Sequence, residues 1–156
     1  MSDKECDHTS VGMLVEKDEG ILLIERVKKP FGFALPAGHV DEDKEYDKAA
    51  ARELKEEVGL DAKHLELIAE GRKENPCRRE GGSWHYWKIY RVLTQGELLP
   101  NTDEAKEARW YPRNAIKKLA KITEAYIAGT ISEEQWKASP GLEPVMYEWF
   151  KKLAII

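Results

Sequence analysis

The chain is short of cysteine, of long apolar runs and of excess positive charge, and each shortage removes a class of protein. Two cysteines in 156 residues cannot build a disulfide scaffold. No apolar run exceeds four residues, as at 21–24 (ILLI), against the roughly 20 needed to cross a bilayer, which argues against a membrane protein. With 25 Lys and Arg against 29 Asp and Glu the net charge is −4, so the basic footprint of a protein that grips long nucleic acid is missing. Repeats, low-complexity tracts and linkers are absent as well. The start, MSDKEC, is polar and charged and does not read as a leader, so a cytoplasmic location is expected. The length suits one domain over residues 1–156 with a core of its own.

What the chain does have is acid in a pattern. Residues 38–60, GHVDEDKEYDKAAARELKEEVGL, end on three glutamates within five positions of an expected helix. Helix positions three and four apart share a face, so Glu53, Glu56 and Glu57 converge, while Leu54, Val58, Ala49, Ala50 and Ala51 cover other sides. Such a face repels itself unless cations bind it. Hard cations such as Mg²⁺ take oxygen ligands and keep waters and substrate phosphates as further ligands, which points to chemistry on a phosphate ester or anhydride. The alternative is a solvated acidic face with pairs such as Arg52 to Glu56. Pro36, Ala37 and Gly38 suit an abrupt turn before the helix, glycine tolerating positive φ and a close approach of backbone to ligand. Asp41 or Asp43 is a candidate cap, and Gly59 stands where a left-handed residue ends a helix.

The same residues resemble the Nudix hydrolase box, GX5EX7REUXEEXGU with U a bulky aliphatic, at Gly38, Arg52, Glu53, Leu54, Glu56, Glu57, Gly59 and Leu60. One position departs: Lys44 stands where the box has its first glutamate, with Asp41, Glu42, Asp43 and Glu45 around it. The resemblance implies an α/β/α sandwich with a mixed sheet, and Mg²⁺, or Mn²⁺ in its place, held by Glu53, Glu56, Glu57 and the Ala37 carbonyl. It also implies that Arg52 orients a catalytic glutamate, Glu53 and Glu56 belonging to the catalytic set. A further family glutamate precedes a tryptophan, and EAKEARW offers both Glu104 and Glu107 as metal ligand or general base; a solvated acidic loop is the alternative for each. The implied reaction is hydrolysis of a small nucleotide. The first expectation is a nucleoside diphosphate linked to another moiety, of the ADP-ribose or nucleotide-sugar type, because Pro76 lies sixteen residues past Leu60 and the PAG at 36–38 is common in that subgroup. A MutT-like nucleoside triphosphate pyrophosphohydrolase and a catalytically weak nucleotide sensor, to which Lys44 gives room, remain alternatives.

Along the chain, strands are expected at 9–16, 21–26, 65–72, 84–93 and 108–111, the first two joined as a hairpin through Lys17, Asp18, Glu19 and Gly20. Helices are expected at about 45–58, 113–128, 132–137 and 144–153, the last three forming a helical extension over 113–156. Ser132 with Gln135 has capping-box spacing, and Pro144 suits a first helical position.

Aromatics crowd the strand SWHYWKIYRVL. Side chains alternate along a strand, so Trp84, Tyr86, Tyr90 and Val92 share one face and His85, Trp87, Ile89 and Leu93 the other, as in a central strand buried on both sides. Trp84 or Trp87, with Phe31 or Phe33, are candidates to stack on a base. Gly38 and Arg72 are further substrate candidates, as are Lys73, Arg78 and Arg79, with a solvated loop the alternative. Cys6, His8, Cys77 and His85 supply the ligand types of a structural zinc site, although their spacing matches no common finger and two unrelated thiols and two histidines are the alternative. His39 and His64 read as residues without chemical duty. The amphipathic C-terminal helices, with Tyr126, Trp136, Trp149 and Phe150, could complete the core, cover the site or meet a partner protomer in a homodimer.

Overall fold

The computed structural model describes residues 4–18 and 20–156, so Glu19 of the expected turn lies outside the described residues. Two four-stranded sheets carry the fold. The first is mixed: β1 (Thr9–Leu14) runs parallel to β7 (His85–Gln95), with the short β5 (Ala37–Gly38) antiparallel on one side and β6 (Asp61–Lys73) antiparallel on the other. The second is antiparallel, with β3 (Gly20–Arg26) pairing β2 (Glu16–Lys17), β4 (Phe33–Ala34) and β8 (Ala105–Pro112). The expected hairpin is therefore divided. After Val15 the chain crosses between sheets, β1 staying with β7 while β2 turns back on β3.

The central strands β1 and β3 are buried on both faces, and alternation decides which side chain goes where. Val11, Met13, Val15, Leu22 and Ile24 face one core, together with Ala49, Ala50, Leu54 and Val58 of α1 (Tyr46–Val58). Leu14, Ile21 and Leu23 face the other, against Ile116 and Ala120 of α2 (Arg113–Ile127) and Met146, Trp149 and Phe150 of α4 (Pro144–Lys152). Strand β7 obeys the same rule, Tyr90 and Val92 on the first side and Trp87 and Ile89 on the second. Leu93 at its end is exposed. Trp149 and Phe150 are fully buried, so truncating either to alanine would cost about 3–5 kcal/mol. The C-terminal helices thus complete the core of their own chain. No described helix is long and apolar enough to cross a membrane.

Local signals end the helices largely as expected. Gly59 adopts φ 78° and donates its N–H to the Lys55 carbonyl, closing α1. Ser132 and Gln135 form a reciprocal capping box on α3 (Glu133–Ala138), with bonds of 3.1 and 2.8 Å. The caps proposed for α1 are not made: Glu45 is its N-cap without a side-chain bond, Asp43 pairs with Arg52 and Asp41 with Arg79. His64 lies exposed on β6, not at a helix exit.

Candidate functional site

Helix α1 packs through its alanines and leucine against β1, which turns its glutamates toward β5 and the loop before it. They line a cavity of about 370 Å³. Glu57, although charged in type, is only 6% exposed, and its Oε2 accepts the Ala37 N–H at 2.9 Å. Burial drives its pKa well above the usual carboxylate value and the neighbouring Glu53 adds to this, while the Ala37 bond opposes it. Burial likewise pushes Glu53 up to about 7; Arg52 opposes the rise and the charges of Glu56 and Glu104 add to it. Glu56 stands at the open side of the cavity, its side chain 58% exposed.

Gly38 does not have positive φ; it is glycine because a Cβ there would run into the Glu53 carboxyl. Box glycine and box glutamate are thus one packing unit. Arg52 reaches around this unit with a full set of acceptors: the Asp43 carboxylate, Glu53 Oε1 at 2.8 Å, Glu56 Oε2 at 3.1 Å and the His39 carbonyl at 3.0 Å. Burial alone would lower the arginine's pKa, but its pairs with Asp43 and Glu53 outweigh this and raise it. Lys44 is exposed in a left-handed conformation after the 3-10 turn Asp41–Asp43, leaving Asp43 as the acid that faces Arg52.

The two acids before the tryptophan part company. Glu104 lines the cavity, in a turn tied to the end of α1 by bonds from Leu99 N–H to the Val58 carbonyl and from Asn101 N–H to the Glu57 carbonyl. Glu107 lies on β8 opposite Glu25, outside the cavity lining, and is engaged by the Tyr111 hydroxyl at 2.9 Å and by Arg109 at 3.3 Å.

The substrate candidates divide in the same way. Gly38, Trp87, Pro76, Arg78 and Arg79 line the cavity. Trp87 is nearly buried and its indole N–H donates to Asn75 at 3.0 Å. Trp84, Arg72 and Phe33 do not line it. The Trp84 ring stacks on His8 at 4.0 Å with the Arg72 guanidinium 4.1 Å over it, and Phe33 packs edge-on against Tyr111 beside the second core. Lys73 instead lies over Trp149.

Sequence reasoning missed Arg26, Lys28 and Glu143 on the cavity wall. Glu143 is buried, 3.7 Å from the Arg26 guanidinium, and burial raises its pKa while Arg26 opposes the rise. An isolated acid just before Pro144 gave no signal, because it is tied to the wall by its backbone N–H donating to the Phe33 carbonyl, while Phe33 N–H donates to the Gly141 carbonyl.

The expected zinc set is also revised. Cys6, His39, Cys77 and His85 gather beside the cavity, whereas His8, at φ 59°, turns its ring onto Trp84 and places Nδ1 3.0 Å from the Trp84 carbonyl oxygen. Burial pushes the Cys6 thiol up to about 11 and His39 down to about 4.

Comparison with known proteins agrees with this geometry. The model of the NUDIX domain matches residues 7–129. The ADP-ribose pyrophosphatase of Methanocaldococcus jannaschii is 40% identical over 114 residues, 71% of this chain and 65% of that protein. The putative 8-oxo-dGTP diphosphatase 3 of Mycobacterium tuberculosis is 34% identical over 90 residues, 56% of this chain and 40% of that protein. The chain therefore spans less than two thirds of the length of either relative. Among solved structures, a MutT NUDIX hydrolase from Burkholderia pseudomallei superposes with a TM-score of 0.60 at 23% identity, over 69% of this chain and 84% of that one, which is a likeness of fold. With the match running over most of the chain and through the whole acidic helix, the chain belongs to the NUDIX family.

Proposed function

We propose that this chain hydrolyses the pyrophosphate bond of a nucleoside diphosphate linked to another moiety, of the ADP-ribose or nucleotide-sugar type, with Mg²⁺. The observation that carries this reading is the meeting of six carboxyl side chains (Asp41, Glu53, Glu56, Glu57, Glu104 and Glu143) and five cationic ones (Arg26, Lys28, Arg52, Arg78 and Arg79) on one cavity. Oxygen donors crowded closely enough to raise one another's pKa fit a hard divalent cation, and the cations opposite fit phosphates. Glu53, Glu56 and Glu57 are the residues that would hold the metal, with the Ala37 backbone beside Glu57. When bound, the metal neutralises the pyrophosphate and makes a bound water more acidic.

The chain's own residues do the positioning. Arg52 holds Glu53 and the Ala37 N–H holds Glu57; on this reading Glu104, which lines the same cavity, accepts the proton as water adds to one phosphorus and the other phosphate leaves. Trp87 and Pro76 line the same cavity and are the apolar contacts proposed for a base or ribose. Similarity to the Methanocaldococcus enzyme supports the ADP-ribose type over the triphosphate type. A panel of nucleotides with Mg²⁺ and product identification tests this. AMP from ADP-ribose supports it; a preference for nucleoside triphosphates above tenfold in kcat/KM, about 1.4 kcal/mol, overturns the substrate, and tight binding without products overturns the activity.

A further inference from the structure

Part of the cavity wall away from the glutamates carries sulfur and imidazole, from His39, Cys77 and His85, with Cys6 against them. Cys6 precedes β1, His39 follows β5, Cys77 lies in the loop from β6 to β7, and His85 opens β7. Three stretches far apart in sequence, around Cys6, His39 and 77–85, thus send four soft or borderline donors to the same point, and the four donor atoms all lie within 4.8 Å of one another. Cys6 Sγ is 3.3 Å from His85 Nε2 and 3.7 Å from His39 Nε2. A tetrahedral zinc with the usual Zn–S and Zn–N lengths would set such sulfur–nitrogen edges at about 3.6 Å.

The surroundings are those of metal thiolates. Each sulfur accepts a backbone N–H from two residues on: His8 N–H to Cys6 Sγ at 3.2 Å and Arg79 N–H to Cys77 Sγ at 3.4 Å. Such bonds stabilise sulfur carrying negative charge and fix its direction. The loop is shaped for the second sulfur. Cys77 N–H donates to the Gly82 carbonyl at 2.7 Å, and Gly82 must be glycine because a Cβ would strike Cys77 Sγ. The N-terminal segment is strapped to the same loop, Cys6 N–H donating to the Glu80 carbonyl at 2.8 Å. Cys6 and His85 are 8% and 1% exposed, so this is no loose surface cluster.

We propose that Cys6, His39, Cys77 and His85 bind one structural zinc ion, a closed Cys2His2 site separate from the glutamate site. Two thiols and two imidazoles in a compact tetrahedral arrangement suit zinc, whereas the carboxylates suit magnesium. Four protein ligands leave no open position, so the role is structural. On binding, two thiol protons pass to solvent and the two thiolates balance the dication. The site would bind the N-terminal segment, the 77–82 loop and the start of β7 to the backbone at His39, whose neighbour Gly38 packs under Glu53 and whose carbonyl receives Arg52.

The test reads the metal and not the reaction. Protein produced without chelator is assayed for zinc, and protein produced in cobalt medium is examined for sulfur-to-cobalt charge-transfer bands, which cobalt on carboxylates cannot give. One zinc per chain, and cobalt bands that weaken in Cys6→Ser and in Cys77→Ser, vanish when both are changed, shift in His39→Ala and persist in His8→Ala, are expected. Wild-type protein with no stoichiometric zinc and no charge-transfer band overturns the site without needing any variant to fold. A band lost in His8→Ala but kept in His39→Ala overturns the ligand set, and a Cys6–Cys77 disulfide in freshly isolated, metal-free protein overturns the assignment to metal. Since none of these readings depends on turnover, they stand apart from any failure of the hydrolase reading.

Discussion

Asp43 pairs with Arg52 across nine residues, from the end of a 3-10 turn to the middle of α1. That pair accounts for Lys44 at the position where the box has a glutamate: the acid that holds the arginine has moved one residue back. Glu56 also bonds Arg52, at 3.1 Å, whereas Glu45 pairs with Lys48. Asp43→Asn should therefore lower kcat on the order of tenfold, as removal of a supporting hydrogen bond to an active-site group commonly does. Lys44→Glu should change it by less than about threefold. Steady-state kinetics on the two variants decide the matter; a larger effect from Lys44→Glu would return the role to position 44.

Glu53→Gln, Glu56→Gln and Glu57→Gln should each reduce kcat by at least about a hundredfold while the circular dichroism spectrum stays unchanged, since each removes a carboxylate from the set proposed to hold the metal. Glu104→Gln should fall in the same class and Glu107→Gln should stay near wild type, because only the first of the two lines the cavity. Wild-type turnover in Glu57→Gln would sink the mechanism.

Gly38→Ala places a methyl group against the Glu53 carboxyl. The expected cost is about 1–3 kcal/mol of overpacking, or displacement of Glu53 and loss of activity with a smaller stability change. Chemical denaturation and kinetics on the same sample read both.

The metal-free protein should lose stability as pH rises. Glu53 has a folded-state pKa raised, chiefly by burial, to about 7, against about 4.5 for an ordinary glutamate. Its contribution is fully present below about pH 4.5 and disappears as pH climbs through 7, because ionising it in place is harder than in the unfolded chain. Melting of wild type and Glu53→Gln in chelator across that window should show the steeper decline in wild type. Adding Mg²⁺ at pH 8 should raise the wild-type melting temperature, since binding to the folded state stabilises it. Equal pH slopes in the two proteins would show that Glu53 is not held as described.

The acidic helix, its glycine stop, the capping box at Ser132 and the buried alternation of the strands were legible in sequence because each rests on spacings of a few residues, which helix and strand geometry convert directly into faces. The box glycine was legible too, though its reason was not: contact with Glu53, and not positive φ, requires it. Tertiary structure alone decided between near-identical neighbours. Glu104 rather than Glu107 reaches the cavity because the first sits in a turn bonded to the end of α1 and the second is held in register opposite Glu25. His39 rather than His8 joins the two cysteines because a left-handed backbone at His8 turns its ring onto Trp84, while the short pairing of β5 with β1 carries His39 to the other side. Residues of one type differ little in local pattern, but strand register and loop anchoring decide which of them reaches a site, and those depend on partners tens of residues away.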